Sequence, residues 1–217
     1  MSADAGEVLA QRLLAIADDD HRFDLLSEMV KADPAWAADL GSRLLADTSG
    51  RRRALGADLL GQATTVEVNL GERAGQIFLP QLEVERDPEV IGSIITALGH
   101  LGDKEAIGAV SAHANDADED VRFSVAYTLP ILGLTDDSLA TLRELSRDPD
   151  SDVRDWATFG LAQSDTDDAD TREALFARID DSDADTRAEA MYGLGNHEVL
   201  LTITGDSPDL ITESPHP

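Results

Sequence analysis

The sequence predicts an all-α chain, an α-solenoid of about six stacked helix pairs. Three observations predict it. A short segment that opens on a capping residue recurs along the chain, and its fourth positions, 21, 52, 90, 121, 153 and 186, are spaced by 31, 38, 31, 32 and 33 residues. That period is too long for a leucine-rich repeat and suits two helices per unit. Apolar or small residues then follow each fourth position four and eight residues on, which is one face of a helix. Finally, the chain is 42% hydrophobic, with those residues spread evenly enough to supply a core along its length.

Each element follows from this pattern. The clearest recurrences are Asp87-Pro88-Glu89-Val90-Ile91, Asp118-Glu119-Asp120-Val121-Arg122, Asp150-Ser151-Asp152-Val153-Arg154 and Asp183-Ala184-Asp185-Thr186-Arg187. Asp18-Asp19-Asp20-His21-Arg22 and Ser49-Gly50-Arg51-Arg52-Arg53 fit more loosely. The leading Asp or Ser can accept from the free N–H groups of a first turn. The Pro or acidic residue behind it also belongs there. The buried face then reads Val90, Ile94 and Leu98, Val121, Val125 and Leu129, or Val153, Ala157 and Leu161. Gly61, Gly99 and Gly195 stand nine residues on, where a left-handed turn can end a helix. A second periodic stretch precedes each such helix, as at 74–84, 104–114, 138–147 and 171–180. The units therefore lie near 7–32, 35–63, 72–100, 104–132, 136–163 and 168–196, in one array over 1–205. The longest spacing places an insertion at 62–71, whose β-branched Thr64, Thr65, Val66 and Val68 predict a long loop. After Gly195 either a short cap at 198–203 closes the array or its last helix is missing, and 206–217 reads as a disordered tail.

The Asp-x-x-Val-Arg segments, with their Ala and Leu-Gly spacing, resemble the HEAT-repeat superfamily, especially the short HEAT-like repeats of phycocyanobilin lyases. The resemblance is clear over 72–195 and looser over 7–63. It implies that the Val-Arg helix lines the concave side of a solenoid. It also implies that Arg22, Arg53, Arg122, Arg154 and Arg187 tie to acidic residues of neighbouring turns, with Ile91 breaking the series. The family's fold implies no single chemistry.

Composition narrows function. Forty-four acidic residues against 17 basic ones leave a net charge of −27. Lys31 and Lys104 are the only lysines. A nucleic-acid partner needs clustered Lys and Arg, so neither duplex binding nor a HEAT-like DNA glycosylase is expected. Adhesion to an anionic membrane is disfavoured likewise, and no apolar run reaches the length of a bilayer span. With no Cys, disulfides and Cys-ligated metals are excluded. The first residues show neither a basic nor an apolar leader pattern, so a cytoplasmic location is expected.

No cofactor is expected. Asp-x-Asp-x-Asp at 116–120, 148–152 and 181–185 resembles the start of a calcium loop. Position six is Val121, Val153 or Thr186 instead of Gly, and position twelve is aromatic instead of Glu. The five His show no i, i+4 pair, and the single His197-Glu198 pair falls short of the several that iron-binding HEAT hydroxylases carry. Opposite the buried face, the second helices present Thr96, His100, Tyr127, Trp156, Phe159 and Tyr192. Four of the chain's nine aromatics fall on this stripe. Such residues either pack on the neighbouring repeat or line a groove, where Tyr and Trp are favoured anchors. The expected function is a non-enzymatic scaffold that binds a protein or peptide partner, basic in character, on the concave face. The resemblance also implies an accessory role in a bilin lyase-like activity, and a toxin-neutralising immunity protein is a variant of the scaffold reading.

Overall fold

The computed structural model describes residues 3–17, 19–164 and 168–196. Among them all regular structure is helical. The chain divides into two compact units, Met1–Ala109 and Val110–Pro217, where sequence alone suggests one array. The first contains α1 (Ala3–Ala15), α2 (Asp19–Ala32), α3 (Pro34–Leu44), α4 (Gly50–Val66), α5 (Gly71–Val84) and α6 (Pro88–Leu101), with 3-10 turns at Val68–Leu70 and Lys104–Ala106. The division falls inside the short α7 (Ile107–Ser111). The second unit holds α8 (Glu119–Leu132), α9 (Asp136–Leu145), α10 (Ser151–Ala162), α11 (Ala169–Phe176) and α12 (Ala184–Asn196). The expected cap at 198–203, the His197-Glu198 pair and the tail at 206–217 lie outside the described residues.

The capping logic operates at the starts of the helices. Asp118 accepts from the N–H groups of Asp120 and Val121, and Asp150 from those of Asp152 and Val153. Asp183 accepts from Thr186 N–H at 2.7 Å. Each cap satisfies donors that no earlier helical carbonyl can reach. Asp87 and Ser49 make no such side-chain bond. There Pro88 starts α6 with its fixed φ and no N–H to satisfy.

Packing follows the predicted face. In the first unit α4 packs on α2 and α6; in the second α10 packs on α8 and α12. Val90 and Ile94 are fully buried, as are Val121, Val125, Leu129, Val153, Ala157 and Leu161. The first helices contribute Phe78, Leu139 and Leu142 from the other side.

Two local expectations are corrected. Residues 62–71 form no long loop: α4 runs on to Val66, a 3-10 turn takes Val68–Leu70, and α5 starts at Gly71. Thr64 and Thr65 donate their hydroxyls back to the carbonyls of Gly61 and Gln62 at 2.6 and 2.8 Å, while Ala63 and Thr64 are buried. Tertiary burial overrides the β-branched preference. Gly61, Gly99 and Gly195 also lie within helices instead of ending them. At Gly61 a Cβ would sit 2.6 Å from the Ala97 methyl, so this glycine serves close helix packing. The left-handed stop of α6 is Gly102, at φ 66°.

Candidate functional site

The repeated Asp and Arg are the first candidates. They assemble into a through-space ladder. The Arg122 guanidinium donates from Nε and Nη2 to the two Asp148 oxygens, at 2.7 and 2.9 Å, and from Nη1 to the carbonyls of Asp116 and Ala117. Arg154 repeats this on Asp181, at 3.0 and 2.9 Å, with Nη1 on Asp148 and Pro149 carbonyls. In the first unit Arg53 clamps Glu85 at 2.9 and 3.0 Å and bonds the carbonyls of Asp47 and Thr48. Arg187 keeps the backbone half of the pattern, donating to the carbonyls of Asp181, Ser182 and Asp183.

This geometry explains the Asp-x-Asp spacing. The first carboxylate receives the Arg of the preceding pair and also the N–H of the capping residue two positions on, as Asp148 does from Asp150 and Asp181 from Asp183. The second carboxylate caps the helix. Burial alone would push the Glu85 carboxyl up, but Arg53 and the N–H groups of Arg86 and Asp87 outweigh it and bring it to about 2. Burial likewise opposes ionisation of Asp148 and Asp181, and Arg122 and Arg154 reverse it, so both sit below the ordinary carboxylate range. The Asp and Arg side chains are thus occupied in holding successive pairs together. Among the described residues no group of three or more His, Asp or Glu is placed to hold a metal ion.

The aromatic stripe behaves differently. In the second unit it forms one cluster. Tyr127 of α8 meets Trp156 of α10 edge-on, with ring centroids 4.9 Å apart. Trp156 meets Phe159 at 5.5 Å, and Phe123 stands 6.3 Å from Trp156 and 6.4 Å from Tyr127. These are favoured edge-to-face and stacked arrangements. The rings therefore pack across neighbouring helices, yet all four are only half-buried. Ile131, one turn beyond Tyr127, is 48% exposed and extends the apolar strip. Exposed Asp120 and Asp152 lie on the same helical faces, one turn before Ser124 and Trp156. Tyr192 occupies the matching position of α12 and is half-buried.

Thr96 and His100 belong to the first unit, where the same stripe is polar. Thr96 is half-buried and His100 exposed. Asp58 of α4 shares a hydrogen bond with Ser93 of α6; burial pushes its carboxyl up to about 6 against that bond and the charge of Arg22. Three of the six predicted residues, Tyr127, Trp156 and Phe159, are brought together. Phe123 is the member that the helical wheel misses. It stands two residues beyond Val121, outside the positions taken as opposite the core, but its i, i+4 relation to Tyr127 is a signal for it.

Helix pairs in which α8 and α10 are Asp-capped and their Arg residues clamp the acid of the following pair define a helical-repeat protein. Residues 76–162 match the family model of HEAT repeats. Among solved structures the chain is similar to YibA of Escherichia coli, at 21% identity and a TM-score of 0.69, over 94% of this chain and 79% of that one. It is also similar to an engineered protein, at 17% identity and a TM-score of 0.58, over 91% and 97% of the two chains. A designed armadillo repeat protein in complex with the peptide (KR)4 matches at 15% identity and a TM-score of 0.56, over 88% and 97%. At these identities the likenesses show the fold. No curated protein is a significant match to the sequence. Among the described residues no helix is long and apolar enough to cross a membrane.

Proposed function

We propose that the chain is a non-enzymatic interaction protein whose second helices, on the concave side of the array, hold a basic segment of a protein partner. The observation that carries this reading is the half-buried cluster of Phe123, Tyr127, Trp156 and Phe159 on α8 and α10. Rigid aromatic anchors lose little entropy on binding and attract cations to their faces. Asp120 and Asp152 beside them, and the net charge of −27, favour a Lys- and Arg-rich segment and speed its approach. The designed armadillo protein that binds (KR)4 supports the reading by analogy of fold. The same charge disfavours nucleic acid as the partner.

The test is a fluorescence-anisotropy titration of a labelled alternating Lys-Arg octapeptide. The chain should bind it, and the double variant Tyr127→Ala/Trp156→Ala should bind at least about tenfold more weakly. Far-UV circular dichroism of the variant should stay helical. Equal affinity of the two proteins refutes the assignment.

A further inference from the structure

A second surface lies in the first unit, on residues other than those of the aromatic cluster. An open groove of about 670 Å³ runs along α5, with Val68, Leu79 and Leu101 among its lining residues. Val68 is 83% exposed, an unusual position for a β-branched apolar side chain. The groove runs from Val68 to Pro80, about 18 Å at the rise of a helix. Gly71 and Gly75 stand one turn apart on its wall. A Cβ on Gly71 would meet nothing within 4 Å, and one on Gly75 would meet only Leu101, at 3.5 Å. The wall therefore presents bare backbone, against which another helix can approach closely. The lining carries the carboxylates of Glu72, Asp103 and Glu105 and no cation.

We propose that this groove takes an amphipathic helix of a partner protein, with an apolar stripe flanked by Lys or Arg. Gly71, Gly75 and Leu79 follow one face of α5, with Val68 on the 3-10 turn before it, so the matching shape is a helix laid alongside. The carboxylates select the sign of its flanks. A second copy of this chain is a poor occupant, because each copy carries a net charge of −27 and like charges repel.

The test uses the full chain and a labelled helical peptide of about 14 residues, with Leu along one face and Lys on both sides of it. Anisotropy should show saturable binding. Gly75→Leu, which fills the groove at a site with ordinary clearance, should weaken it about tenfold. Glu72→Lys/Glu105→Lys, both exposed positions, should weaken it and flatten its dependence on salt. Tyr127→Ala/Trp156→Ala should leave it unchanged, which separates this surface from the aromatic one. No binding by the chain, or binding indifferent to Gly75→Leu, overturns the proposal. Loss of binding in the aromatic variant alone also overturns it.

Discussion

Replacing Asp148 with Asn tests the ladder at a single rung. Asp148 receives two donors from Arg122, and the two side chains are 6% and 12% exposed. Asn keeps one oxygen for the Asp150 N–H but turns an amide NH2 toward the guanidinium. A hydrogen bond to a charged group contributes about 1.5–3 kcal/mol, and breaking a buried pair costs about 3–5 kcal/mol. Arg122 would still hold the carbonyls of Asp116 and Ala117, so the expected loss lies at the lower end, about 2–3 kcal/mol. Urea unfolding followed by circular dichroism should show a lower midpoint at unchanged slope. The sign with pH is defined. Burial opposes ionisation of Asp148, but Arg122 and the Asp150 N–H outweigh it and lower its value. The rung's contribution is therefore complete above the ordinary Asp value, near pH 4, and is lost as pH falls through the depressed one. The gap between wild type and variant should close below about pH 4. A loss under about 0.5 kcal/mol at neutral pH, the range of ordinary surface changes, refutes the reasoning.

Other predictions concern caps, packing and charge. Asp118→Ala removes the acceptor for two first-turn N–H groups and should cost about 1 kcal/mol in the same assay. Gly56→Ala should cost about 2–3 kcal/mol, because its Cβ would stand 2.7 Å from Leu45 N and 2.8 Å from Gly41 O, backbone atoms that cannot swing aside. Asp58 has its carboxyl raised to about 6 by burial, so its ionised form opposes folding at neutral pH. Asp58→Asn should stabilise the chain by about 1–2 kcal/mol above pH 6, an advantage that shrinks as pH falls toward 4 and the native carboxyl protonates. Raising KCl from about 0.1 to about 2 M should raise the melting temperature, since self-repulsion at a charge of −27 is then screened; a flat response contradicts this.

The fold was readable where side-chain identity and helical period agree. Asp150 caps, Val153, Ala157 and Leu161 face the core, and nothing beyond local spacing is needed to see it. Residues 62–71 misled because Thr64, Thr65 and Val66 favour strands by propensity, whereas burial of Ala63 and Thr64 decides their state. Gly61 misled because a helix-ending glycine and a close-packing glycine look alike until Ala97 is seen beside it. The resemblance to HEAT repeats anticipates that Arg122 ties to an acid, but that the acid is Asp148, twenty-six residues on, emerges only through space. The site was half legible. The stripe named Tyr127, Trp156 and Phe159, while Phe123 joins through a neighbouring helical position and Thr96 and His100 fall in the polar unit.

The central functional claim is that a basic segment sits on the rings of α8 and α10. Trp36 and Trp156 are the chain's two tryptophans, so Trp36→Phe leaves Trp156 as the single emitter. Titrating that variant with the unlabelled alternating Lys-Arg octapeptide should shift Trp156 emission saturably, with the same midpoint as the anisotropy titration. Binding by anisotropy with no change in Trp156 emission would contradict the account, because the peptide would then lie elsewhere.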